Sequence, residues 1–192
     1  MVSKGFFIQY KFILPETIKH ASYTYQKLFR AIYGYTQNVT KSNGKTYHYH
    51  RKGVLSDIPY LRPGKNCVII PKEAFNPLVS FFKTGRNPTH YWRGKGDWKA
   101  VYYMDEKNLE NDAIIKALEG LLNRSFVLTT SNEHETIYEE MLASSGGVTD
   151  KNYKKILLDE SEKIVSLEWF RENYSKSSKL VKFYQAHKAL KA

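Results

Sequence analysis

Two histidines separated by one residue are the best candidates for metal ligands in this sequence. His48 and His50 flank Tyr49 in a segment that alternates like a β-strand. Residues i and i+2 of a strand point to the same face, and imidazole is a good ligand for divalent transition metals. The triplet therefore offers two ligands from one strand face, although histidines on a polar strand face more often contact only solvent.

The triplet His48-Tyr49-His50 resembles the metal-binding motif of HUH single-strand endonucleases, which initiate rolling-circle replication, conjugation and some transpositions. The resemblance implies a metal-dependent nicking enzyme in which a helical tyrosine, here Tyr138 or Tyr174, attacks the phosphodiester. No pattern around either tyrosine supports that role. A metal-dependent nuclease or HUH-type nicking enzyme that uses His48 and His50 is therefore our alternative.

A second nuclease pattern is the triplet Asp97-Trp98-Lys99, which matches the D-x-K of PD-(D/E)xK nucleases, with Glu73 or Asp57 as an upstream carboxylate. Such sites need clustered carboxylates around Mg²⁺, and the first 104 residues contain only four acids. Asp97 is better explained as a turn residue before a strand. No segment matches the phosphate-binding pattern G-x-x-x-x-G-K-[ST]. We therefore predict no catalytic residue and no cofactor.

The positive charge is concentrated in the first half of the chain. Residues 1–104 carry 17 Lys and Arg against four acids, a net charge of +13, whereas residues 105–192 have a net charge of −2. Of the 28 aromatic residues, 20 also precede residue 105. Cations interleaved with aromatic rings are typical of surfaces that bind single-stranded nucleic acid, so we expect a polyanion as the partner.

The predicted binding residues fall in the segment 41–65 and in the loop 84–99. Exposed rings add about 1 to 3 kcal/mol for each stacked base, and Lys and Arg pair with phosphates at low sequence specificity. The predicted stacking residues are Tyr47, Tyr49, Tyr91, Trp92 and Trp98. The predicted phosphate contacts are Lys41, Lys45, Arg51, Lys52, Arg62, Lys65, Arg86, Arg93, Lys95 and Lys99.

Turn and periodicity signals predict the elements that position these residues. Asn43-Gly44 predicts a hairpin with a type I′ turn, with Tyr47, Tyr49 and Arg51 on one strand face and Thr46, His48 and His50 on the other. The remaining predicted elements are a first strand over 6–14, a helix from Pro15 to about Tyr33, strands over 67–70 and 98–104, and a short helix capped by Asn76 and ended by Gly85.

Helices dominate the expectation for the second half. We predict a helix capped by Asn108, a strand over 126–129, a helix from Ser131 to Leu142, a flexible linker over 144–147 and long charged helices after residue 150. The predicted fold class is α+β, a small mixed domain with an antiparallel sheet and packed helices, followed by a helical C-terminal region. The predicted division is 1–130 for nucleic-acid binding and 131–192 for docking or oligomerisation.

This size, this placement of charge and this order of parts resemble the archaeal ThermoDBP-type single-stranded DNA-binding proteins and their relatives. The resemblance implies a fold other than the OB fold, a basic cleft lined with aromatic residues and oligomerisation through the tail.

The cysteine content and the hydropathy of the sequence indicate where in the cell the protein is expected. One cysteine, Cys67, precedes an apolar run and is expected to be a buried thiol, and no run of about 20 apolar residues suggests a membrane span. The sequence thus predicts a cytoplasmic, non-catalytic protein that binds single-stranded DNA or RNA. It leaves open whether the protein is a homo-oligomer or a subunit of a ribonucleoprotein or replication assembly.

Overall fold

The computed structural model describes residues 3–19, 22–88 and 97–192. Its fold is α+β with antiparallel strand pairs, as the sequence predicts. The chain divides into two compact units, one of residues 4–107 and one of residues 108–192 together with Ser3. The predicted functional division at residue 130 stays a prediction.

The first unit is built on a four-stranded sheet and two helices. Its strands are β1 (Ser3–Ile13), β2 (Tyr35–Thr40), β3 (Thr46–Arg51), β4 (Leu61–Gly64), β5 (Cys67–Ile70) and β6 (Lys99–Leu109). Its helices are α1 (Tyr23–Tyr33) and α2 (Phe75–Thr84), the latter preceded by a 3-10 turn, Lys72–Ala74. The sheet has the order β4-β5-β1-β6, and β2 pairs with β3 in a separate hairpin. Without this hairpin, the path β-α-β-β-α-β is the split β-α-β arrangement.

From Ile8 to Ile13, buried and exposed residues alternate along β1 and show which side of the sheet is covered. Ile8, Tyr10 and Phe12 are buried in a core with residues of α1, α2 and β5, whereas Gln9 and Lys11 are exposed. Aromatic rings fill much of this core; Phe12, for example, packs edge-to-face on Trp98 and on Phe29 with ring centroids 5.6 Å apart. The helices therefore pack on one face of the sheet, and over this part of β1 the other face is solvent-exposed.

Helix boundaries in the first unit differ from the predicted ones. α1 begins at Tyr23, not at Pro15, because the Ser22 side chain caps it by accepting a hydrogen bond from the backbone N–H of Tyr25. α2 begins at Phe75, one residue before the predicted cap Asn76, because the 3-10 turn leads directly into it. Gly85, with φ of 71°, ends α2 as predicted.

The second unit is mainly helical, which confirms the predicted helical C-terminal region. Its elements are α3 (Asn111–Arg124), β7 (Phe126–Leu128), β8 (His134–Thr136), α4 (Ile137–Ala143), α5 (Lys151–Val165), α6 (Glu168–Asn173) and α7 (Ser178–Lys191). Apolar residues of all five helices form its interior, among them Leu118, Met141, Leu157, Phe170 and Phe183.

Three predictions for this unit are wrong. α3 begins at Asn111 after Glu110, so Asn108 lies in β6 and is not its cap. The segment predicted to begin a helix at Ser131 forms a turn and β8, and α4 begins only after the Thr136 cap. The predicted linker 144–147 includes a 3-10 turn, Ser144–Gly146, that packs on α7.

Within the described ranges, no helix is both long enough and apolar enough to cross a membrane.

Candidate nucleic-acid interface

The β2–β3 hairpin forms as predicted but with a different turn. The Lys41 N–H donates to the Lys45 carbonyl at 3.0 Å, and the Gly44 N–H donates to the Lys41 carbonyl at 2.9 Å. Gly44 has a φ of 76°, whereas Asn43 does not have a positive φ. The loop therefore has three residues with Gly44 in the left-handed position, not the predicted type I′ turn. Asn43 instead accepts a hydrogen bond from the Lys45 N–H on its side-chain oxygen.

One face of the hairpin is a ladder of polar cross-strand pairs. The Thr36 hydroxyl lies 3.0 Å from His50 Nδ1, and the hydroxyls of Thr40 and Thr46 lie 3.0 Å apart. Asn38 Oδ1 lies 2.7 Å from His48 Nδ1. Because an amide oxygen only accepts hydrogen bonds, this contact favours a proton on Nδ1 of His48.

The other face carries tyrosines and cations, as the predicted alternation requires. Tyr47 and Tyr49 are 37% and 38% exposed, so neither ring belongs to the core. The ammonium of Lys41 lies 4.6 Å from the centre of the Tyr47 ring, and the guanidinium of Arg51 lies 5.8 Å from that of Tyr49. Both distances fall in the range of cation–π attraction.

This pattern continues from the hairpin onto α1. Tyr35 pairs with Arg51 across the hairpin, and the Arg30 guanidinium lies 4.9 Å from the Tyr35 ring. On the same helix, Arg30 and Lys27 both lie within 6 Å of the Tyr23 ring. We call this surface the aromatic–cation stripe; its members are Tyr23, Lys27, Arg30, Tyr35, Lys41, Tyr47, Tyr49 and Arg51.

Close backbone packing holds the base of the hairpin against the end of α1. Gly34 (φ of 75°) and Gly53 lie so close together that a Cβ on Gly53 would clash with the Gly34 backbone nitrogen. The next residues bond to the helix: the Leu55 N–H donates to the Ile32 carbonyl at 2.8 Å. Since an isolated two-stranded hairpin is only marginally stable, this anchor is what presents the aromatic–cation stripe on a fixed support.

The sequence segment that contains the stripe carries positively charged residues and no negatively charged ones. Between Thr17 and Ser56 the chain has seven Lys and Arg and no Asp or Glu. The nearest acid after this segment, Asp57, forms an exposed ion pair with Lys52 at 2.9 Å. Among the described ion pairs, Lys52 is the one predicted phosphate contact of this hairpin with a carboxylate beside it.

Trp98 was predicted to stack on bases, and that prediction is wrong. Its side chain is only 3% exposed and packs between Phe12 and Phe81, with ring centroids 5.6 and 5.7 Å away. A ring buried to this extent stabilises the core and cannot contact a nucleic acid. The predicted alternation grouped Trp98 with Ala100 and Tyr102; of these, Trp98 is buried in the core and Ala100 packs against it, whereas Tyr102 is 40% exposed.

The remaining predicted residues are exposed or lie outside the described ranges. Tyr91, Trp92, Arg93 and Lys95 belong to the second group, so the predicted proximity of the 84–99 loop to the hairpin stays a prediction. Arg86 and Lys99 are exposed at the two edges of that segment. The other exposed residues with predicted phosphate contacts are Lys45, Arg62 and Lys65.

Arg62 contacts one of two hydrogen-bonded tyrosines, of which Tyr10 is buried and Tyr33 is partly buried. Its guanidinium lies 4.1 Å from the centre of the Tyr33 ring, and the hydroxyls of Tyr33 and Tyr10 are 2.8 Å apart. Burial raises the pKa of both phenols above their usual range, and at Tyr10 the adjacent Tyr33 raises it further. Both hydroxyls therefore stay protonated at neutral pH and act as neutral hydrogen-bonding groups.

A groove of about 640 Å³ lies in the same unit, where β1, β6, the β4–β5 turn and α1 meet. Its lining residues are Gln9, Tyr10, Lys11, Tyr25, Lys65, Asn66, Val101, Tyr102 and Tyr103. The groove thus combines tyrosines with two lysines, one of them the predicted contact Lys65.

The nuclease alternatives lack their supporting groups in the described part of the chain. No three His, Cys, Asp or Glu side chains come together there as metal ligands would. Tyr138 and Tyr174 lie in the second unit, where the Lys179 ammonium is 4.6 Å from the Tyr138 ring and the Tyr174 ring packs on Phe170 and Tyr184. Neither tyrosine has a nearby metal site among the described residues.

Sequence reasoning missed four members of the stripe, namely Tyr23, Lys27, Arg30 and Tyr35. The hairpin register could have found Tyr35, because any pairing that centres the loop on Asn43-Gly44 brings it near Arg51. The α1 residues had a weaker signal, the polar face of the helix. Their approach to the hairpin depends on the tight Gly34 connection.

Comparisons of this chain with protein-family models, with curated proteins and with solved structures found no match.

Proposed function

We propose that this protein binds single-stranded DNA or RNA, without catalysis and with low sequence specificity, through the aromatic–cation stripe. The observation that carries the proposal is the alternation of partly exposed rings with cations along α1 and one hairpin face. A single strand presents bases next to phosphates, so a surface of rings next to positive charges complements it.

The dimensions of the hairpin support the same function. From the Tyr35–Arg51 pair to the Thr40–Thr46 pair the hairpin has five residue intervals, which is about 17 Å at about 3.4 Å each. Stacked nucleotides rise by about 3.4 Å, and the spacing is longer where bases unstack onto protein rings, so the hairpin face would contact at most about five of them. Each stacked ring would contribute about 1 to 3 kcal/mol.

The sequence between Thr17 and Ser56, which contains the stripe, has no Asp or Glu, and this favours a polyanion over a protein partner of mixed charge. Exposed cation–π pairs are worth about 0.5 to 1 kcal/mol each, so a phosphate can draw Lys41 or Arg51 away from its ring at a small free-energy cost. The ring face released in this way can then stack on a base. The same side chains would thus hold the free hairpin and contact the bound strand.

The proposal is tested by filter binding of labelled single- and double-stranded DNA and RNA across a salt series. We expect single strands to bind more tightly than duplexes, with affinity that falls as salt rises because bound counterions are released. Equal affinity for single strands and duplexes, or no binding to any of the four, contradicts the proposal.

The proposal also includes a cytoplasmic location and single strands as the partner.

Size-exclusion chromatography with light scattering, with and without an oligonucleotide, measures how many copies of the protein a strand recruits. Co-purification of a tightly bound protein that covers the stripe would instead support a structural subunit of a ribonucleoprotein or replication assembly.

A further inference from the structure

The groove at β1 and β6 lies apart from the aromatic–cation stripe on the surface of α1. Tyr25 lines the groove and Tyr23 belongs to the stripe. Residues two apart on a helix are related by a rotation of about 200° around its axis. The two surfaces therefore lie on opposite sides of α1. The groove therefore needs an explanation of its own.

The chemistry of the groove fits a nucleotide. Tyr103 on β6 is 61% exposed, the highest value among the large apolar and aromatic side chains that the structure describes. Gln9 and Lys11 are exposed on the outer side of β1, and Lys65 is exposed in the β4–β5 turn. Of the described residues that line the groove, none is acidic. An exposed ring in the same groove as two lysines offers stacking for a base and pairing for its phosphates.

Asn66 adds a polar requirement to the groove wall. It sits in the β4–β5 turn with φ of 60°, a conformation that Asn tolerates better than most residues. Its side-chain oxygen is buried and has no hydrogen-bond partner among the described residues. An unsatisfied acceptor of this kind favours a ligand with N–H or O–H donors over a purely apolar one.

We propose that this groove is a second contact site for the same strand, in which an unpaired base stacks on Tyr103 and its flanking phosphates pair with Lys11 and Lys65. The inference rests on the proposed function, because it assumes that single strands are the ligand. It goes further in assigning a separate site, so that a strand longer than the stripe would be held at two places on the first unit.

The test combines binding and photocrosslinking on the full chain. The probe is an oligouridine with 4-thiouridine substituted throughout, longer than the stripe can cover, and crosslinked peptides are identified by mass spectrometry. We expect crosslinks both in β3 and in the β6 peptide that contains Tyr103. Tyr103→Ala should weaken binding about 5- to 100-fold, and Tyr103→Phe, which keeps the ring, should restore affinity to near that of the wild type.

The neighbouring residue on the same strand provides the matched control. Met104 is also exposed, and it is not among the described residues that line the groove, so Met104→Ala should bind like the wild type. Circular dichroism of each variant checks that the fold is retained.

The outcomes separate the groove from the stripe. Crosslinks confined to the hairpin, with no effect of Tyr103→Ala, would overturn the groove site and leave the proposed function intact. Failure of the wild type to bind any strand would overturn both. If the wild type self-associates and Tyr103→Ala prevents this without changing strand affinity, the groove binds a second copy of the chain and the inference is wrong.

Discussion

Tyr35 of β2 lies directly opposite Arg51 of β3, and the two form the first residue pair of the β2–β3 hairpin. This pair joins two sets of cation–π contacts, because Arg30 of α1 lies over Tyr35 and Arg51 lies over Tyr49. A helix and a hairpin that are separate elements thereby present one surface. Binding measurements on substitutions at both ends of this surface can show whether it acts as a unit.

Tyr49→Ala should weaken single-strand binding about 5- to 100-fold, because it removes one stacking ring. The slope of log affinity against log salt should not change, since no cation is lost. His48→Ala, one residue earlier and on the polar face of β3, is the control and should bind like the wild type. An equal loss in both variants would mean that the hairpin is needed only as a scaffold.

Arg30→Gln tests whether α1 belongs to the interface. Loss of one phosphate contact should reduce the salt slope by about 0.7 for a single strand, with a corresponding loss of affinity at low salt. Lys83→Gln, an exposed cation in the last turn of α2, removes the same charge from a helix outside the stripe. If both substitutions reduce the slope equally, net charge rather than the stripe determines binding.

Gly53→Ala should destabilise the anchor of the hairpin. A Cβ at this position would lie 2.6 Å from the Ile32 carbonyl oxygen, and backbone atoms cannot move aside as side chains do. We expect a loss of about 1 to 3 kcal/mol in the free energy of unfolding, measured by urea denaturation, together with weaker strand binding. Gly64→Ala is the control, since a Cβ there meets nothing within 4 Å and its φ is not positive. Equal stability of the two variants would show that the close approach at Gly53 is unimportant.

His187 should make the second unit less stable in mild acid. Burial lowers the pKa of this imidazole, which lies between the Ser161 hydroxyl at 2.8 Å and the Glu162 carboxylate at 3.2 Å, with Lys191 beside the same carboxylate. With a folded-state pKa below the ordinary value of about 6.5, the unfolded chain takes up the proton first. Stability is therefore complete above about pH 6.5 and is lost as pH falls toward the folded-state pKa.

Urea denaturation at about pH 7.5 and about pH 5.5, on either side of the ordinary histidine pKa of about 6.5, measures this effect. The free energy of unfolding of the wild type should fall between the two conditions, and that of His187→Gln should fall less. An identical decrease in both proteins would assign the pH dependence to other groups.

Mg²⁺ or Mn²⁺ should leave a labelled single strand intact after incubation with the protein. The described residues provide no cluster of three metal ligands around His48 and His50, and the HUH-type reaction of the alternative depends on a bound metal. Gel electrophoresis would detect cut or protein-linked product. Cleavage that disappears in His48→Ala and His50→Ala would establish the alternative enzyme instead.

Local patterns were sufficient to predict much of the first unit. The alternation from Phe6 to Leu14 predicted β1 and its buried face, and Asn43-Gly44 predicted the position of the hairpin. Both signals involve neighbours in sequence, where side-chain direction follows directly from backbone period. The prediction of the turn type was wrong because the hairpin has a three-residue loop. In this loop the Asn43 side-chain oxygen accepts a hydrogen bond from the Lys45 N–H.

Helix starts were predicted less well for a related reason. Pro15 and Ser131 both precede segments that read as helical, yet α1 begins after Ser22 and α4 after Thr136. Each position has a plausible local signal, and packing of the whole unit chooses between competing caps. The helical character of the second half was still predictable, because apolar residues recur there at spacings of three and four.

The sequence by itself determined the segregation of charge, the α+β class and the strand faces on which rings and cations alternate, because these depend on composition and on short periods. Only the tertiary structure decided that Trp98 is buried while Tyr47 and Tyr49 are exposed, and that Arg30 reaches Tyr35. Exposure and contact depend on which distant elements pack against a residue, and residue type and spacing do not specify that packing.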